Sequence, residues 1–164
     1  MIFEEMKLRI QSNPENVYFV ERFIEEICDK YNISNHYFGN ITIAVLEAVD
    51  NAIVHGNKNN PLKKIEILFR VLPGHLTFIV KDEGQGFDYQ NVIDPTDISY
   101  SDKNHIGRGI FIIRSLADKV VFNEKGNEVE IIYGIKGISK ELASRRKQRL
   151  QEYSKETKKR QKKA

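Results

Sequence analysis

The chain has 164 residues, 40% hydrophobic and 30% charged, which leaves room for one domain with a true core. No unbroken run of about 18 apolar residues is present, the acidic start Met1-Ile2-Phe3-Glu4-Glu5 lacks the parts of a signal peptide, and a single cysteine, Cys28, excludes an internal disulfide or a cysteine-rich zinc site. The net charge of +3 conceals a split between an acidic stretch, 1–135, and a basic one, 136–164, so the basic excess says nothing about a pocket in the body.

Residues 2–10 alternate and read as an opening strand. Ser12 and Glu15 fit a capping box with Pro14 in the first turn. A helix is expected next, because Val17, Val20, Ile24, Ile27, Cys28 and Tyr31 fall at helical spacing, with Cys28 a small core residue. Asn32 to Asn35 breaks the pattern, and a second helix is expected to run to about Asn57. Ile65-x-Ile67-x-Phe69-x-Val71 and Leu76-x-Phe78-x-Val80 alternate as strands, and Pro73-Gly74 between them marks a hairpin. Residues 82–106 form a long polar stretch without a period, and loops of that length inside a domain are functional or mobile. A helix over 107–117 follows, and Ile110-Phe111-Ile112-Ile113 reads as apolar round much of its circumference and therefore buried. Val120-Val121-Phe122 and Val129 to Tyr133 make a second hairpin across Lys125-Gly126-Asn127. This order implies an α+β two-layer sandwich, with helices on one face of a mixed, mostly antiparallel sheet.

Three short patterns carry chemistry. Glu47, Asn51 and His55 lie four apart and share one face of the second helix, while Ile41, Val45, Ala48 and Ala52 supply a packing face. A carboxamide oxygen there suits a hard cation such as Mg²⁺, and the carboxylate suits proton abstraction from a nucleophile. Asp82-x-Gly84-x-Gly86 directly follows a strand; its glycines admit close approach of a ligand, and its carboxylate can accept from an exocyclic amine. Gly107-Arg108-Gly109 opens a helix, where unpaired N–H groups and the positive end of the dipole favour phosphate. Each pattern alone reads equally well as a solvated face or a plain turn. Their joint order and placement are what single them out.

Glu47-Ala-Val-Asp50-Asn51-Ala52-x-x-His55-Gly56 resembles the N box of the GHKL ATPases, the superfamily of gyrase and the histidine kinases. Asp82-x-Gly84-x-Gly86 and Gly107-x-Gly109 resemble its two glycine boxes. The Asn-Ala-x-x-His-Gly ending, the compact size and the helix Gly109-Ile-Phe-Ile-Ile-Arg-Ser-Leu-Ala-Asp118 narrow the resemblance to the anti-sigma factors that are serine-protein kinases. It spans about residues 5–135. The resemblance implies the histidine kinase/gyrase-type ATP-binding fold, ATP and Mg²⁺ as cofactors, Glu47 as general base and Asn51 as Mg²⁺ ligand. It further implies Asp82 reading adenine, Gly84, Gly86, Gly107, Arg108 and Gly109 around the nucleotide, and residues 88–106 as a lid. It departs where members often carry Gly-Thr in the last hairpin, because here Gly126 is followed by Asn127. Asp50 is expected to be structural, and His55 has no clear role.

The resemblance implies a cytoplasmic protein that holds a sigma factor, phosphorylates a serine of an anti-anti-sigma protein of the STAS type, and forms a homodimer. No membrane partner is expected. The alternatives are a nucleotide-gated binding switch without kinase activity and an interaction domain with a decayed pocket. The expected boundaries are an ATPase domain over 1–136 and a basic tail over 137–164, helical or disordered. Contact of that tail with nucleic acid is a reading the resemblance does not support.

Overall fold

Alternating polar and apolar side chains fit a strand with one face buried, and they draw the chain into an open five-stranded sheet in the computed structural model. The structure describes residues 2, 4–92, 105–135 and 151. The strands are β1 (Glu4–Gln11), β2 (Lys64–Leu72), β3 (His75–Asp82), β4 (Lys119–Phe122) and β5 (Glu128–Gly134). Their order is β1-β2-β3-β5-β4. All four pairings are antiparallel, so the sheet is not mixed as expected. The rest of the expected architecture holds.

The helices are α1 (Val17–Lys30), α2 (Asn35–Asn51) and α3 (His105–Leu116). The α1 stripe of Val20, Ile24, Ile27 and Cys28 is buried as its spacing predicts. Ile65, Ile67, Phe69 and Val71 of β2 and Leu76, Phe78 and Val80 of β3 meet the buried helix faces in one cluster. Phe69 stands opposite Phe78 in the β2–β3 register with ring centroids 5.1 Å apart. Cross-strand aromatic pairs of this kind help hold register. At the sheet edge the buried Tyr31 hydroxyl donates to Glu4, tying the end of α1 to β1.

Four local expectations change. Asn13 caps a 3₁₀ turn, Pro14–Asn16, that leads into α1, its Oδ1 accepting from the Glu15 N–H at 3.0 Å, whereas the Ser12 hydroxyl is buried with no partner among the described residues. The capping box is replaced because β1 extends to Gln11 and draws Ser12 inward, its N–H bonding the Lys63 carbonyl. The second helix does not continue regularly to Asn57. Past Asn51 it widens into a π turn, Ala52–Gly56, whose surplus residue shows in the Asn57 N–H to Ala52 carbonyl bond at 2.7 Å. The α3 helix begins at His105 and is one-sided: Ile110 and Ile113 are buried, but Phe111 is 41% exposed.

By length and composition Asn35–Gly56 could cross a bilayer, which the lack of an unbroken apolar run did not reveal. Its Ile41, Ala44, Val45, Ala48 and Val49 instead pack into the core. Most of the expected lid and, apart from Gln151, the expected basic tail lie outside the described residues.

Candidate functional site

The β4–β5 turn, the end of β3 and the end of α2 converge on one cleft. Its apolar walls are Ala48 and Ala52 from α2 and its π turn, Val80, Ile113, Val129, and the rings of Phe87 and Phe122. Asn51, Asp82, Asn127 and Glu128 are its polar members. Flat apolar walls with a few placed polar groups are the usual construction of a small-ligand site.

Asp82 ends β3 and is 9% exposed. Its Oδ1 accepts from the Gly84 N–H at 2.7 Å. Burial raises its carboxyl above the usual range, while that N–H bond and the charges of Lys125 and Lys63 oppose the rise. The glycines around it are demanded by space. A Cβ on Gly56 would stand 2.4 Å from the Asp82 carboxyl, and one on Gly84 would stand 2.1 Å from the Gly56 carbonyl oxygen. Gly86 has φ +82°, and a Cβ there would fall 1.7 Å from the Lys125 carbonyl oxygen. Thus the π turn, the end of β3 and the β4–β5 turn are stacked with no room for side chains between them.

At the other end of the cleft, α3 lies against α2. A Cβ on Gly109 would stand 3.0 Å from both amide atoms of Asn51 and 3.3 Å from Glu47 Oε2. Glu47 and Asn51 sit one helical turn apart on α2, so glycine at 109 lets the two helices close over both polar groups. Glu47 is half-buried, and its carboxyl is raised by burial first and then by Asp50, with Arg108 opposing. Gly107 is buried and Arg108 exposed. Because α3 starts at His105, Gly107-Arg108-Gly109 lies within its first turns rather than at its boundary. The N–H of Gly107 still falls among those that a helix start leaves without intrahelical partners.

The structure therefore brings Asn51 and Asp82 to the cleft itself, sets Glu47 and Gly109 at the Asn51 end, and places Gly84 and Gly86 behind Asp82. Asp50 is exposed. His55 is half-buried within the π turn.

Several contributors lie outside the predicted set. Asn57 is fully buried; its Nδ2 donates to the Lys64 carbonyl at 3.1 Å and its Oδ1 accepts from the Glu83 N–H at 2.9 Å. It locks the end of the π turn to both β2 and the Asp82 segment. Phe87, Tyr89 and Phe122 form an aromatic cluster, with Tyr89 and Phe122 stacked at 4.8 Å and Arg114 over the Phe122 ring. Asn57 adjoins the His55-Gly56 signature and was visible in that sense. The aromatic cluster gave no signal, since its members are separated in sequence.

Residues 10–133 match the family described as the Histidine kinase-like ATPase domain. This chain belongs to that family. Among curated proteins it is similar to the Serine-protein kinase RsbW of Staphylococcus aureus strain JH9, with 30% identity over 141 residues. It is also similar to the protein of that name from Staphylococcus epidermidis, with 28% identity over 139 residues. Both alignments cover 80% of this chain and 87% of the relative. A solved histidine kinase domain from Erythrobacter litoralis EL346 overlaps at a TM-score of 0.47 and 17% identity, covering 77% of this chain and 64% of that one.

Proposed function

We propose that this chain is an ATP-dependent serine-protein kinase acting as an anti-sigma regulator, phosphorylating an anti-anti-sigma protein. The observation that carries the reading is the meeting of Glu47, Asn51 and Gly109, which sets a carboxylate and a carboxamide beside the start of α3 at the mouth of the cleft. The similarity to two proteins named serine-protein kinase supports it.

The residues present fit Mg-ATP. The cleft has apolar walls for a planar base, Asp82 at one end for an exocyclic amine, and Asn51 at the other for a cation. Among the described residues no three His, Cys, Asp or Glu are grouped to hold a metal. Asn51 would hold Mg²⁺ through its Oδ1, a hard oxygen donor of the kind this cation prefers. Bound Mg-ATP supplies the transferable phosphoryl group and ADP as leaving group. Glu47 would take the proton of the acceptor serine hydroxyl at its carboxylate. Asp82 orients the base. The Gly107 N–H and the Arg108 charge would offset negative charge on the phosphates.

Glu47→Ala tests the assignment. Transfer to an anti-anti-sigma domain bearing its acceptor serine is expected to fall by about a hundredfold or more, with ATP affinity nearly intact. ATP binding without labelling of that serine in the wild type would leave a nucleotide-gated switch as the better reading. Asn51→Ala is expected to remove the Mg²⁺ dependence of ATP binding, and an unchanged dependence would refute the metal assignment.

A further inference from the structure

The β4–β5 turn is held by a side chain outside every pattern that marks the site. Asn123 Oδ1 accepts from three successive N–H groups, those of Gly126, Asn127 and Glu128, at 2.8, 3.1 and 3.2 Å. Its Nδ2 donates to Asn127 Oδ1 at 2.7 Å. Asn127 in turn donates its Nδ2 to the Asp82 carbonyl at 3.1 Å, and its own carbonyl accepts the Asp82 N–H at 3.0 Å. Asp82 is therefore gripped at both backbone groups by one asparagine, which is itself gripped by another.

The same turn also fixes the far wall. Gly126 has φ +79°, and a Cβ on it would meet the Phe87 carbonyl oxygen at 2.2 Å. Phe87, Gly126, Asn127 and Asp82 all line the cleft. One carboxamide thus sets both the wall against which a base would lie and the strand end that carries the base-reading carboxylate.

A second consequence concerns chemistry. Both ends of the Asn127 carboxamide are engaged within the protein, the oxygen by Asn123 and the nitrogen by Asp82. The Asn127 side chain is held as a strut, and hydrogen-bond discrimination of the base falls to Asp82. We propose that Asn123 and Asn127 are positioning residues for nucleobase recognition, setting adenine selectivity through the placement of Asp82. This rests on reading the cleft as an adenine-nucleotide site. A carboxylate at Asp82 accepts from the amine of adenine and repels the carbonyl oxygen that guanine presents at the same place, so its placement governs the preference.

The test is titration of ATP and GTP, with Mg²⁺, into the full chain and its variants. In Asn123→Ala and Asn127→Ala the ratio of GTP to ATP dissociation constants is expected to fall at least about fivefold. The loss should lie in ATP affinity, with GTP affinity changed less. Asn123→Ser, which keeps an oxygen near the three N–H groups, is expected to retain most of the selectivity and serves if the alanine variants do not fold. A ratio unchanged in folded alanine variants overturns the proposal, as does a uniform loss of both nucleotides, which marks a merely structural role. If only the serine variant folds, loss of its selectivity to the level of a wholly unselective site overturns the graded placement argued here. Failure of the wild-type chain to bind ATP would instead defeat the proposed function.

Discussion

Gly109 closes against Asn51 so tightly that a single added methyl would stand 3.0 Å from both atoms of its amide. Alanine is the better helix former by about 1 kcal/mol, yet the crowding forces Asn51 to give by a few tenths of an ångström. Gly109→Ala should therefore leave thermal stability unchanged or slightly raised while lowering serine phosphorylation by about tenfold or more. Paired melting curves and kinase assays check this, and undiminished activity would show that the Asn51 position is not critical.

The Glu47 carboxyl sits above its ordinary range because of burial, then Asp50, against the pull of Arg108. A base works ionised, so activity is lost as pH falls through that raised value. Asp50→Asn removes a charge that raises it and should move the acid limb of the pH–rate profile down. Arg108→Ala removes a charge that lowers it and should move the limb up. Shifts in the same direction would contradict the assignment of Glu47 as base.

Gly86 combines φ +82° with the backbone of Lys125 where a Cβ would lie. Gly86→Ala should destabilise the domain by more than about 2 kcal/mol and loosen the β4–β5 turn from Asp82. Urea unfolding followed by ATP titration reads both effects. A change below about 0.5 kcal/mol would mean that the turn moves aside freely.

Cys28 faces the core, and burial pushes its thiol up to about 11 from 9.0. The folded thiol thus stays neutral where the unfolded one ionises. Its contribution is whole below pH 9, then declines as pH rises toward 11, by up to about 3 kcal/mol. The difference in unfolding free energy between wild type and Cys28→Ala should shrink over that window. A difference independent of pH would place Cys28 in a wetter setting.

Elements governed by local period were legible in the residues. The α1 stripe from Val20 to Cys28, both hairpins and their Gly74 and Gly126 turns follow from spacing and from positive φ. So did the three patterns around Glu47, Asp82 and Gly109, although no pattern disclosed that Gly109 would touch Asn51. What stayed hidden depends on tertiary context. Ser12 looks like a cap, but the extension of β1 carries it inward and hands the role to Asn13. Phe111 belongs to an apolar run, yet its ring points away from the buried Ile110 and Ile113 side of α3 and is exposed. Asn123 was not singled out, and the bonds of Asn57, at the expected end of the second helix, were not foreseen, because these side chains bond strands and turns that the sequence does not place beside them.

The π turn Ala52–Gly56 sets the angular phase of the site. In an unbroken α-helix, five steps of about 100° would leave Gly56 about 140° round the axis from Asn51, facing elsewhere. The surplus residue unwinds much of that difference, so both line one cleft and Gly56 meets the Asp82 carboxyl. The distance between these two residues along the chain is therefore a mechanical dimension, like the pitch of a screw. Rewinding the turn into a regular α-helix with the same residues would keep every letter that matters and still turn the glycine away from its seat.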